Sequence, residues 1–131
     1  MLTKEKIEAM SDDEIDNFIA EKILRLHWVP VDDSNDWGTW EGDDVMDTKY
    51  VGWHDDHSWT PSCCIDDAMD VVKKFGLKQD DRTFVVCYSG HGTLWCAGWT
   101  DSLPPGFPSG FAHAPARAIC NAIVAANEVK G

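Results

Sequence analysis

The chain of 131 residues carries 23 acidic against 11 basic residues, a net charge of −12, and is 44% hydrophobic. That length suits one domain able to bury its own core, and the charge repels nucleic-acid backbones and anionic membrane surfaces. No opening stretch reads as a signal peptide and no apolar run approaches the ~18 residues of a membrane span, so the expected compartment is a cytoplasm.

In chain order, Thr3 opens a short helical turn. "SDDE", Ser11 to Glu14, has the form of a capping box, in which the Ser11 hydroxyl and the Glu14 carboxylate each take a backbone N–H of the other residue. Met10 and Ile15 are spaced for a hydrophobic staple, and Ile15, Phe18, Ile19, Ile23 and Leu26 recur at helical spacing, predicting a helix from about 12 to 26. Residues 32–59 then hold nine acids, one lysine and four tryptophans, Trp37, Trp40, Trp53 and Trp59. Tryptophan is costly to leave in water, so short strands or an ordered loop are expected there, with Tyr50 to Trp53 as the best strand.

Ser62 reads as the N-cap of a helix over about 63–75, with Ile65, Ala68, Met69, Val72 and Phe75 on its apolar face and Gly76 as its stop. "TFVVCY" and "TLWCAGW" read as two strands of a hairpin over 83–99, joined at Ser89 to Gly92. "LPPGFPSGF" is a turn-rich connection. Pro115 then opens a last helix over about 115–127, with Ala118, Ile119, Ala122, Ile123 and Ala126 on its apolar face. The expected fold is α+β: a single domain over 1–131 with a small, largely antiparallel sheet packed by helices.

The cysteines, Cys63, Cys64, Cys87, Cys96 and Cys120, form no C-x-x-C pair, and an odd, scattered set is a poor disulfide framework. Most read as small core residues, and zinc-finger spacings are absent. "SGHG" around His91 has the look of the histidine loop of a caspase-like hydrolase. That chemistry needs a cysteine roughly 50 residues further on, whereas Cys96 lies in the next strand and Cys120 in mid-helix. His91 is therefore read as a hairpin tip.

Three stretches together resemble the phage ABA sandwich domain family: the opening "MLTKEKIEAMSDDEIDNFIAEKIL", then "PSCCIDDAMDVVKKFG", then "APARAICNAIVAAN". The resemblance implies a three-layer α/β/α sandwich and an accessory role encoded by a bacteriophage, acting in the host bacterial cytoplasm. It carries over no catalytic residue, since the family has no general activity. Met69 stands where the family is usually more aromatic, and the acidic middle is longer.

Three constellations bear on function. Thr83 to Asn127 contains a single acid, Asp101, and a single base, Arg117. Arg117 falls near the third position of the last helix, where free N–H groups favour an anion, so it is a candidate phosphate or carboxylate clamp; the competing reading pairs it with Asp101 or another acid on the same surface. Trp95 and Trp99 lie on one side of their strand, and with Trp53 and Trp59 they are candidates to stack on a nucleobase. His91 and His113 complete the candidate ligand contacts. In "WHDDHSW", His54 and His57 are weak metal candidates beside Asp55 and Asp56, and paired aspartates such as Asp32/Asp33 and Asp43/Asp44 read as solvated.

The expectation is a non-enzymatic counter-defence protein that sequesters a small anionic, nucleotide-like immune signal, with no cofactor, no direct nucleic-acid contact and no membrane. The alternative is an acidic inhibitor that mimics nucleic acid and docks on a host defence protein. A hydrolase ranks third for want of a nucleophile–base pair, and a homo-oligomer is open.

Overall fold

A computed structural model describes residues 2–30, 38–41, 50–52, 60–76, 83–89, 94–100 and 108–130. Helix α1 (Lys4–Ala9) starts where the Thr3 hydroxyl accepts the Lys6 N–H. Helix α2 (Asp12–Phe18) has the expected capping box, with Ser11 Oγ accepting from Glu14 N and Glu14 Oε1 from Ser11 N, both at 3.1 Å. The helical segment ends earlier than the periodicity predicts. It passes into a π-helical turn over Ile19–Ile23, and Arg25 takes a left-handed φ of 56° as Leu26 N bonds back to Ala20 O. The apolar spacing continues to Leu26, but the wider turn carries that buried side chain into the core outside the helix.

The described residues form two antiparallel sheets. β1 (His27–Pro30), β2 (Gly38–Glu41) and β3 (Tyr50–Gly52) form one, in that order, with Trp28 opposite Trp40 and Trp40 opposite Tyr50. The expected strand near Tyr50 is there, while 31–37, 42–49 and 53–59 lie outside the described residues. β4 (Phe84–Ser89), β5 (Leu94–Trp99) and β6 (Gly110–Ala112) form the second, again in sequence order. The hairpin is as expected; β6 is new, three residues within what reads as a turn-rich connection.

Helix α3 (Ile65–Gly76) does not begin at Ser62. Thr60 O accepts from Cys63 N and Cys64 N, and the Ala68 N–H reaches back to Cys64 O, so the helix starts two residues later. Its buried stripe is Ala68, Val71 and Val72, with Met69 half-buried, whereas Ile65 is 49% exposed. Helix α4 (Pro115–Lys130) packs against β5 and β6 and also against α3, α1 and α2. The expected stripe is therefore too narrow: Ala116, Cys120 and Val124 are buried along with Ala118, Ile119, Ala122, Ile123 and Ala126, as in a helix with neighbours on several sides. Gly110 sets the approach of β6 to α4, because a Cβ there would overlap the Ala118 carbonyl oxygen and the Ala122 backbone nitrogen. The described residues are thus an α+β fold whose core is centred on α4.

Candidate functional site

The start of α4, the α1–α2 junction and the ends of β5 and β6 enclose a cleft of about 740 Å³. One wall is apolar, from Leu94, Phe111, Ala112 and Ala114. The other is polar, from Glu8, Asp12, Ser62, Cys63, His113, Arg117 and Asn121. Such a volume and mixture fit a small organic ligand.

Arg117 and His113 are the two expected contacts that reach the cleft, and their states differ. His113 is exposed beside Pro115 at the helix start. Arg117 is held by its own chain. Its Nη2 donates to Ile7 O (3.0 Å) and Met10 O (2.6 Å), capping the final carbonyls of α1. Its Nη1 pairs with Asp12 Oδ1 at 2.7 Å, and its Nε donates to Asn121 Oδ1 at 2.8 Å. Asn121, buried one turn further along α4, passes the link on by donating to Phe111 O at 2.9 Å. The guanidinium side chain is 13% exposed and Asp12 55%. The competing sequence reading, pairing with an acid of the same chain, describes this geometry; the partner is Asp12, and Asp101 lies outside the described residues.

The tryptophans of β5 take core positions. Trp99 is 1% exposed and meets Phe84 edge-on at 4.7 Å, so it presents no face to a ligand. Trp95 shares that side of the strand, is half-buried and packs on Tyr88 with ring centroids 5.3 Å apart. Neither lines the cleft. His91, Trp53, Trp59, His54 and His57 lie outside the described residues. Among the described residues no cluster of three or more His, Cys, Asp or Glu is placed to hold a metal ion, and no helix is long and apolar enough to cross a membrane.

Ser62, Cys63, Asp12 and Asn121 were not legible as site residues. Ser62 is drawn away from its expected helix cap by Asp16, whose carboxylate accepts from Ser62 N (2.8 Å) and Oγ (3.0 Å). Burial lifts the Asp16 carboxyl from its ordinary 3.8 to about 6. The two Ser62 bonds pull against that rise, and the charges of Asp12 and Asp13 add to it. On the exposed Cys63 thiol the Ser62 hydrogen bond acts downward, but burial and the carboxylates of Asp12 and Asp16 outweigh it, and the net shift is upward. A thiol held in its protonated form is a poor nucleophile.

Comparison with family models, curated proteins and solved structures finds no match to this chain.

Proposed function

We propose that this protein is a non-enzymatic binder of a small ligand with an anionic, nucleotide-like group, and that the ligand occupies the cleft at the start of α4. The observation that carries the reading is the composition of that cleft. About 740 Å³ places apolar Leu94 and Phe111 opposite His113 and the first turn of a sixteen-residue helix. Helix geometry leaves N–H groups of that turn without intrahelical partners, and the helix dipole favours an anion there. Arg117 is paired with Asp12, and its hydrogen bonds to Ile7 O, Met10 O and Asn121 Oδ1 hold the walls together. The overall negative charge opposes an anion at long range, but screening beyond about 8 Å at physiological salt leaves local contacts to decide.

The biological setting belongs to the same proposal: an accessory protein of a bacteriophage, in the host bacterial cytoplasm, removing an immune signal. So does the finer architecture, a three-layer α/β/α sandwich with a second layer over the outer face of the β4–β5–β6 sheet. Support for both is the resemblance of the three quoted stretches.

A second reading rests on a different observation. Glu5, Glu8, Asp13 and Glu14 are all exposed on α1 and α2, and Arg117 neutralises only Asp12 among their neighbours. Such an acidic face complements a basic surface on a host defence protein. Native mass spectrometry with a panel of cyclic nucleotides and ADP-ribose derivatives separates the readings. A stoichiometric mass shift, with the ligand recovered intact, supports sequestration and reports the subunit count. A cleaved ligand means a hydrolase, and no shift with any panel member turns the search to a protein target. Charge reversal at Glu5 and Asp13, which are exposed and outside the cleft lining, disturbs only the second reading.

A further inference from the structure

Cys87 and Cys96 are register partners on β4 and β5, and their sulfurs lie 3.1 Å apart as free thiols. We infer that they form a redox-active dithiol, which closes to a cross-strand disulfide when a peroxide oxidises it. The backbone is already spaced for the bond. Thr100 N donates to Thr83 O at 2.9 Å, which marks that pair as a hydrogen-bonded rung of the ladder. Counting in twos along the register places Cys87 and Cys96 on another such rung, where Cα atoms are about 5.5 Å apart. Disulfides span Cα separations of ~4.4–6.8 Å, so closure asks for side-chain adjustment of about 1 Å at sulfur and no parting of the strands. Strand alternation puts both thiols on the face opposite Trp95, Ala97 and Trp99, so the bond forms away from the core packing of β5.

The two thiols have different parts. Cys87 is half-buried, whereas Cys96 is 7% exposed and its Sγ also approaches Cys87 O at 3.6 Å. Contact with Cys87, then burial, holds the Cys96 thiol above its ordinary range. Cys87 is therefore the attacking sulfur and Cys96 the resolving one. The Cys87 thiolate attacks one peroxide oxygen and breaks the O–O bond, giving a sulfenic acid and one water once the released hydroxide takes up the thiol's proton. The Cys96 sulfur then displaces the sulfenic oxygen, which leaves with the Cys96 proton as a second water. Two thiols are oxidised by two electrons and one hydrogen peroxide is reduced to two waters.

The test treats the reduced full chain with graded hydrogen peroxide, quenches in acid, alkylates under denaturing conditions and maps the peptides. The expected result is a monomer that loses two alkylation sites out of five, with one linkage joining the Cys87 and Cys96 peptides and full reversal by dithiothreitol. Cys63→Ser leaves this behaviour intact, and Cys87→Ser abolishes it. Because Cys96 is buried, a variant there can fail to fold, and the wild-type peptide map decides without it. The inference is overturned if Cys87 and Cys96 stay alkylatable while the exposed Cys63 is oxidised or joins two copies. It is equally overturned if Cys87 runs on to its sulfinic acid with no bond formed.

Discussion

Replacing Arg117 by alanine tests what that side chain does. The change removes four hydrogen bonds at once: to Ile7 O, Met10 O, Asp12 Oδ1 and Asn121 Oδ1. They are not of equal weight. Asp12 is more than half exposed, so its ion pair contributes about 0–1 kcal/mol. Asn121 is buried, and leaving its Oδ1 without a donor costs about 1–3 kcal/mol. Ile7 O keeps the Met10 N–H as a donor after truncation, and Met10 is only half-buried, which limits the loss at each carbonyl to about 1 kcal/mol. The expected total is about 3–6 kcal/mol, comparable to breaking a buried pair. With a urea slope of about 1–2 kcal/mol/M, the midpoint falls by about 1.5–6 M, read by far-UV circular dichroism. Arg117→Lys recovers charge without the fork and regains at most about half. Asp12→Asn costs under about 1 kcal/mol. A loss below about 1 kcal/mol for Arg117→Ala would refute the reasoning: the guanidinium would then be free for a ligand and α1 would be held by other contacts.

The remaining predictions use other contacts. Asp16 holds an extra proton in the folded state between about pH 4 and 6, so its contribution makes stability fall as pH rises through that window, by about 3 kcal/mol in all. Asp16→Asn keeps an acceptor for Ser62 N and removes that slope; urea melts of both proteins should diverge as pH rises from 4 to 7, and parallel curves contradict the assignment. Gly110→Ala forces β6 off α4 and costs at least about 2 kcal/mol, with a lowered Tm as the readout and an unchanged Tm as the contrary result. Ser11→Ala loses the α2 cap at about 1 kcal/mol, and thermal unfolding that matches the wild type speaks against it.

Local signals were readable and tertiary ones were not. The Ser11–Glu14 box, the 84–99 hairpin and the Pro115 start each depend on residues within a few positions of one another, and each lies where the pattern put it. Ser62 misled because a serine before an apolar run suits a helix cap, while its actual partner, Asp16, is 46 residues away. For α3, spacing defined a stripe, but packing on α4 rotated it from Ile65 toward Val71. The β5 tryptophans share a face as alternation requires, yet alternation does not say which face is the core. Arg117 pairs with Asp12 across 105 positions, and among 23 acids no feature of the sequence singled that one out. Asn121 carried the one available hint, a polar residue four positions after Arg117 within the otherwise apolar run from Ala118 to Ala126. The Cys87–Cys96 juxtaposition follows from the hairpin register, which a search for C-x-x-C cannot find.

The most direct test of the central claim compares ligand binding by the wild type with that of a variant whose cleft is filled. Ala114 is exposed at the mouth, so Ala114→Trp obstructs the cleft while leaving the core intact. Native mass spectrometry with the nucleotide panel, followed by titration calorimetry on any member that binds, gives the comparison. The account predicts one intact ligand per cleft for the wild type and at least about a tenfold loss of affinity for the variant, roughly 1.4 kcal/mol. Equal affinity in both proteins would place the ligand elsewhere, and no binding by the wild type would contradict the sequestration reading itself.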